Sequence, residues 1–230
     1  MFQGKMKAVT FSYDDGVIQD KRLIKLFDHY ELRCTFNINS GLLGQTDELI
    51  REGISVDHTK VKPEEIAGLY RNHEIAVHTL THPDLTKLSN EEIIRQVEWD
   101  RIALSKLCGY AVIGMAYPFA AYNERIERLI RQCTGVKYAR TACATNNFDL
   151  QSNLYEFNPT SRHHGQFDDL FELAEEFIKL ECAEPKIFYI WGHSYELDIH
   201  DDWAKMEQFC NLISGRDDIF YGTNTEVLLA

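Results

Sequence analysis

The chain has 230 residues, of which 44% are hydrophobic, so it can bury a sizeable core as one domain or two small ones. Its 24 basic and 36 acidic residues give a formal net charge of −12, which argues against nucleic acid or an anionic membrane as a general partner. No segment approaches the roughly 20 consecutive apolar residues of a membrane span. The charge leaves a small neutral substrate open.

The start of the sequence and the cysteines bear on location. The first motif begins at residue 10, so no secretory signal is visible before it. The six cysteines are scattered and form no CxxC pair, which is typical of reduced thiols rather than disulfides. We therefore expect a cytoplasmic location.

Segments with strand and helix patterns alternate along the chain. Strands are predicted at residues 7–12, 33–38, 74–78, 112–117, 137–141, 186–191 and 219–221. Helices are predicted at residues 20–30, 63–70, 89–107, 123–133, 168–180 and 203–213. Residues 40–62 are interpreted as an irregular insertion or lid, and residues 146–165 as a polar loop of functional length.

This alternation predicts parallel strands with helices outside. A doubly wound sheet would fit the same order. We favour an α/β fold, an irregular (β/α)7 barrel that forms a single domain over residues 1–230. The reason is that polar residues follow several strand ends, and in a barrel those ends converge on one face.

Two motifs carry the chemistry. TFSYDDG at residues 10–16 supplies Asp14 and Asp15, and HTLTH at residues 78–82 supplies His78 and His82. Either motif alone also fits a structural role, an Asp-rich turn or histidines bonded to neighbours. Together, Asp15, His78 and His82 predict a site for one divalent transition metal ion, zinc first, with cobalt and nickel as alternatives. Three protein ligands leave a position open for water, so the pattern indicates a hydrolase in which Asp14 takes a proton from that water.

These motifs and their order resemble the polysaccharide deacetylase family, the NodB-homology group of carbohydrate esterases. TFSYDDG is similar to the family's TFDDG with two residues inserted, and HTLTH is similar to H-S/T-x-x-H. The resemblance implies an irregular barrel, Asp14 as the general base, and Asp15, His78 and His82 as the metal ligands.

Two later segments extend the resemblance. AYPFAAY at residues 116–122 resembles R-x-P-F/Y-G, which implies that the Phe119 N–H faces the oxyanion. YIWGHSYE at residues 189–196 resembles the last motif, an apolar strand ending in histidine, which implies that His193 is the general acid. The third-motif arginine is replaced by Ala116, and the Asp-rich fourth motif is not recognisable.

Five residues are predicted to line the substrate site: Asn37, Tyr117, Arg140, Arg162 and Trp191. Either arginine is a candidate for the missing guanidinium, with a plain surface arginine as the alternative for each. Asn37 either contacts substrate or caps the following turn. The Trp191 ring is of the kind on which sugars stack.

The predicted reaction is hydrolysis of an N-acetyl or O-acetyl group on a saccharide, with general base, general acid and oxyanion donor as named above. Without a visible export signal, a small or oligomeric amino sugar is expected rather than a cell-wall polymer. One alternative is a cyclic-imide or ureide amidohydrolase of the same superfamily. Another is a noncatalytic carbohydrate-binding relative. The sequence leaves the oligomeric state open.

Overall fold

The structure is a computed structural model that describes residues 1–230. Its strands are β1 Lys7–Asp14, β2 Cys34–Ile38, β3 Glu48–Arg51, β4 Ile54–Asp57, β5 Glu74–Val77, β6 Gly114–Ala116, β7 Tyr138–Arg140, β8 Ser161–Arg162, β9 Lys186–His193 and β10 Ile219–Tyr221. Its α-helices are α1 Asp20–His29, α2 Ile66–Leu69, α3 Asn90–Ile94, α4 Asp100–Cys108, α5 Glu124–Cys133, α6 Phe167–Lys179, α7 Glu196–Ile199, α8 Trp203–Ile213 and α9 Asn224–Leu228. A π-helical turn, Arg95–Trp99, joins α3 to α4.

The main sheet is parallel and curls around on itself. Its strands follow the order β7-β6-β5-β2-β1-β9-β8, and β10 pairs with the first residues of β1. The segment around β8 joins the two edges, because Phe157 exchanges backbone hydrogen bonds of 3.0 Å with Ala139 and Thr141 beside β7. Ser161 and Arg162 then pair with β9. The predicted irregular α/β barrel is confirmed.

Two parts of the predicted element list need correction. Residues 40–62 are not wholly irregular, because β3 and β4 form an antiparallel hairpin there. Its two-residue turn has positive φ at Glu52 (53°) and Gly53 (79°), as tight hairpin turns require. Since most of its residues are exposed, the hairpin has little apolar pattern. The loop at 146–165 holds the two-residue β8, too short to leave a periodic signal.

The two faces of β1 differ, because one packs against the main hydrophobic core and the other carries mostly polar side chains. In β1, Val9, Phe11 and Tyr13 belong to the main core, which comprises 40 buried hydrophobic residues and includes the buried faces of the surrounding helices. The alternate residues Thr10, Ser12 and Asp14 are buried polar groups, as the two-residue period of a strand dictates. Buried polar groups of this kind are stable only when they are hydrogen-bonded or paired.

The amino ends of the strands are closed by hydrogen bonds. Glu74 accepts from Thr35 Oγ1 and Tyr138 Oη, each at 2.8 Å. Thr10 Oγ1 donates to Asn224 Oδ1 of α9, also at 2.8 Å. The carboxyl ends of the strands form the open face, on which the motifs of the sequence meet.

No helix combines the length and the apolar character needed to cross a membrane. All six cysteines are free, in agreement with the expectation of reduced thiols.

Candidate active site

A pocket of about 560 Å³ lies at the carboxyl ends of the strands. Strand ends and the turns after them contribute one side of the pocket, which carries most of the motif residues: Asp14, Asp15, His78, His82, Arg140, Trp191 and His193. The hairpin and its flanks contribute the facing wall: Leu42, Gln45, Asp47, Leu49, Arg51, His58 and Lys60. The predicted insertion is therefore part of the site.

Asp15, His78 and His82 meet as the sequence predicts. Asp15 Oδ1 lies 3.8 Å from His78 Nε2 and 3.6 Å from His82 Nε2, and the ligand atoms all lie within 4.8 Å of one another. Atoms that share a zinc ion at about 2.0–2.2 Å are separated by roughly 3.4 Å in tetrahedral geometry. The spacing and chemistry of the set therefore fit one divalent transition metal ion.

A hydrogen bond and the local backbone conformation hold these ligands in place. His78 Nδ1 bonds the Ala116 carbonyl at 2.8 Å, which leaves Nε2 for a metal. Asp15 and His82 have positive φ, 83° and 56°, values that non-glycine residues keep only where the surroundings impose them. Burial, with repulsion from His78, lowers the pKa of His82 to about 4, so its ring is in the neutral, metal-binding form at neutral pH.

Asp14 is buried beside this set and paired with Arg140. Arg140 Nη2 donates to both carboxylate oxygens at 2.5 Å, and Asn37 Nδ2 donates to Oδ1 at 2.8 Å. Burial raises the pKa of Asp14, but the charges of Arg140, His78 and His193 and the Arg140 hydrogen bond outweigh it, so the net pKa is lowered. Asp14 is therefore ionised at neutral pH. Of the two arginines considered for the missing guanidinium, Arg140 is the one that contacts Asp14.

Asn37 has a different position from the one predicted. Its side chain is fully buried and bonds Ser12 Oγ as well as Asp14, each at 2.8 Å, and it does not line the pocket. A substrate contact from this amide is not part of the observed arrangement. The residue contacts Asp14 instead, because the end of β2 lies beside the end of β1.

The other predicted substrate residues do line the pocket. The Trp191 ring lies 4.6 Å from the guanidinium carbon of Arg140 and 5.1 Å from that of Arg162. Trp191 Nε1 is buried without a hydrogen-bond partner in the chain. Tyr117 donates from its hydroxyl to the Tyr155 carbonyl at 2.9 Å, which fixes its ring on the pocket wall.

His193 faces Asp14 across the site. Its Nε2 lies 4.0 Å from Asp14 Oδ2, and its Nδ1 lies 3.0 Å from Oε1 of the buried Glu196. Burial lowers the pKa of His193, but the charge of Glu196 and its hydrogen bond outweigh that effect, and the net pKa is raised. The ring therefore keeps its proton to higher pH than an ordinary histidine. Arg162 forms an ion pair with the same carboxylate.

Glu196 is the main residue that sequence reasoning missed. The only signal for it was an acid three residues after a strand-end histidine, at the start of what proves to be α7. Its neighbour His163 lies 3.8 Å from Glu196 and stacks on Tyr13 at 5.4 Å. A Cβ on Gly192 would come within 2.0 Å of His163 Nδ1, so only glycine fits before His193.

Phe119 lies at the rim of the pocket in the turn Pro118–Ala120. Its φ is 57°, its side chain is exposed, and its ring packs edge-on against His82 at 4.5 Å. Its N–H donates to no group of the chain, so it is free for a ligand. The oxyanion role remains a prediction.

The hairpin adds two residues beside Asp15 that the sequence did not single out. His58 Nε2 lies 3.2 Å from Asp15 Oδ2, and Lys60 Nζ lies 3.9 Å from Oδ1. Burial lowers the pKa of Lys60. Nothing in a segment interpreted as an insertion pointed to these contacts.

The protein is thus a curled barrel of parallel strands with a cluster of carboxylates and histidines at the carboxyl ends of those strands. The polysaccharide deacetylase family model matches residues 3–139, more than half of the chain. The chain belongs to this family, as its motifs indicated.

Individual relatives are similar over shorter stretches. Chitin deacetylase 1 of Saccharomyces cerevisiae is 34% identical over 64 residues, which are 28% of this chain and 21% of that protein. The bifunctional xylanase/deacetylase of Pseudobutyrivibrio xylanivorans is 22% identical over 124 residues, 51% of this chain and 17% of that protein. The chain thus matches about a fifth of the length of these curated relatives.

Two solved structures are similar over nearly the whole chain. A Mycobacterium smegmatis protein superimposes with a TM-score of 0.70 at 14% identity, covering 98% of this chain and 90% of that one. The family 4 carbohydrate esterase from Streptomyces lividans, in complex with acetate, has a TM-score of 0.58 at 13% identity and covers 97% and 94%. At such identities these likenesses establish the fold alone.

Proposed function

We propose that this protein is a metal-dependent deacetylase that hydrolyses an acetyl group, N-linked in the first instance, on a small or oligomeric amino sugar. The observation that carries the proposal is the position of Asp14. Its Oδ2 lies 4.0 Å from both His78 Nε2 and His193 Nε2, between the candidate metal ligands and the candidate acid.

Asp15, His78 and His82 would hold the metal ion. We favour zinc, with cobalt or nickel as alternatives, since imidazole and carboxylate ligands suit all three. When bound, the ion supplies a Lewis acid that polarises the acetyl carbonyl and lowers the pKa of the attacking water.

The chain's own residues then divide the proton transfers. Asp14, kept ionised by Arg140, takes the proton from the attacking water. The free N–H of Phe119 donates to the oxygen that becomes negative as the carbonyl carbon turns tetrahedral. His193, whose proton is retained by Glu196, donates it to the departing amine or alcohol.

The pocket supports a saccharide of modest size. Its volume of about 560 Å³ lies within the range of roughly 300–1,000 Å³ usual for small-ligand sites. Trp191 lines its wall, with its ring largely buried against Arg140 and Arg162. The names of the matched relatives, chitin deacetylase and xylanase/deacetylase, support an acetylated saccharide as the substrate class. The cytoplasmic location stays a prediction.

The two alternatives from the sequence lose support. The noncatalytic alternative was motivated by the missing arginine and the unrecognisable fourth motif. Arg140 pairs with Asp14, which removes the first of these two grounds. A metal-free cyclic-imide or ureide amidohydrolase has no use for a complete Asp-His-His set. Neither has an observation of its own in its favour.

The proposal is tested with protein loaded with zinc or cobalt and supplied with N-acetylglucosamine oligosaccharides. We expect release of acetate and of free amine, loss of both after chelation, and recovery on adding metal back. His78→Ala should bind no metal at this set and release nothing. Cyclic-imide hydrolysis that persists in chelator, or saccharide binding without acetate release, would overturn the proposal.

A further inference from the structure

A second cluster of metal-ligating side chains lies outside the pocket, at the tip of the β3–β4 hairpin. Glu52 Oε1 is 2.9 Å from His164 Nε2, and Glu52 Oε2 is 3.1 Å from His200 Nε2. The two imidazole rings lie 5.0 Å apart, and one ligand atom from each of the three residues lies within 4.8 Å of the others. None of the three lines the active-site pocket.

The three residues come from separate parts of the chain. Glu52 occupies the hairpin turn, His164 belongs to the loop between β8 and α6, and His200 directly follows α7. Two imidazoles therefore converge on the two oxygens of one carboxylate without any help from sequence proximity. Two histidines and a glutamate form a donor set that zinc and similar ions use in proteins.

Apolar packing between the hairpin and α7 positions this cluster. Val56 of the hairpin is buried with Tyr195 and Ile199, and Leu49 packs against the same group. Because His200 is the residue after Ile199, this apolar contact brings it to the hairpin tip. Arg51, next to Glu52, donates to the Tyr195 hydroxyl at 3.2 Å, which adds a polar contact at the same place.

From this convergence we propose that Glu52, His164 and His200 bind a second divalent transition metal ion, of the zinc class. The ion would fasten the hairpin tip to the loop at His164 and to the end of α7. It would thereby hold the hairpin residues His58 and Lys60 beside Asp15. The three proposed ligands are not among the residues assigned to the proposed activity.

The test is zinc stoichiometry on the full chain, measured by mass spectrometry after equilibration with zinc and removal of excess ion. We expect two equivalents for the wild type and one for the double variant His164→Gln/His200→Gln. His29→Gln alters an exposed histidine on α1, outside both clusters, and should keep two. His78→Ala should keep the equivalent that the double variant loses.

The outcomes separate this site from the active site. One equivalent in the wild type that His78→Ala retains and the double variant loses would support the second site while contradicting the first. One equivalent that His78→Ala loses, or two that the double variant keeps, would overturn the second site.

Hydrogen exchange gives a readout that does not depend on activity. Zinc at the second site should slow amide exchange across residues 48–57 in the wild type and in His78→Ala, but not in His164→Gln/His200→Gln. Exchange in the wild type that zinc does not slow would overturn the fastening of the hairpin.

Discussion

The guanidinium of Arg140 donates to both carboxylate oxygens of Asp14 at 2.5 Å, although 126 residues separate the two in sequence. Both side chains are almost completely buried, in the polar interior of the barrel. Arg140 ends β7 and Asp14 ends β1, so the curl of the sheet brings the pair together. The pair gives the site an ionised carboxylate where water has little access.

Arg140→Gln should reduce both stability and activity. Removing one partner of a buried ion pair typically costs about 3–5 kcal/mol. Burial raises the pKa of Asp14, and the guanidinium no longer counteracts this effect in the variant, so the pKa of Asp14 rises. The acidic limb of the kcat/KM pH profile should therefore move to higher pH. Arg140→Lys retains a charge and is the matched control, with a smaller movement. An acidic limb in the Gln variant at the wild-type position would contradict this role.

Glu196→Gln should move the other limb of the profile. Glu196 raises the pKa of His193, so His193 stays protonated as the pH rises and the acid works further into the alkaline range. The amide can still accept from Nδ1 but carries no charge, so the pKa of His193 falls and the alkaline limb moves to lower pH. The pH dependence of kcat on an N-acetylated sugar measures this.

Arg162→Gln is the control for Glu196→Gln. It leaves the Glu196 carboxylate beside His193 and removes one of the two arginines that pair with that carboxylate, the other being Arg51. Its alkaline limb should not move to lower pH. A shift to lower pH in Arg162→Gln equal to that in Glu196→Gln would show that the ion pair, and not the carboxylate charge, tunes His193.

His193→Ala should affect amides more than activated esters. An amine needs a proton as it leaves, whereas a good phenolate leaving group needs little. The loss on an acetamide should be of the order of 10²–10⁴, the usual range for a general acid, and the loss on an activated acetyl ester much smaller. Equal losses on the two substrates would remove His193 from the acid role.

Much of the fold followed from periodicity. The alternation in β1, apolar Val9 and Phe11 against polar Thr10 and Ser12, is the direct result of an outer face on helices and a polar interior. The candidate metal ligands could also be predicted, because Asp15 and His78 directly follow strand ends and His82 lies in the turn after the second of them, on the face where parallel strands end.

The sequence could not predict side-chain contacts that depend on how the sheet closes and the hairpin packs. Arg140 was one of two candidate guanidiniums, and the curl of the sheet, which brings the end of β7 to the end of β1, decides that it reaches Asp14. No sequence pattern predicted a role for Glu196. The hairpin at 48–57 had few buried residues to reveal it, so His58 and Lys60 could not be placed beside Asp15.

The central claim is that Asp14 acts as general base on an acetyl group, and acetate release by wild type and Asp14→Asn tests it most directly. Both proteins are loaded with zinc, shown to carry the same metal content, and assayed on N-acetylglucosamine oligosaccharides. Our account predicts that the wild type releases acetate and that the variant is slower by about 10²–10⁴. Acetate release by Asp14→Asn at near the wild-type rate would contradict it.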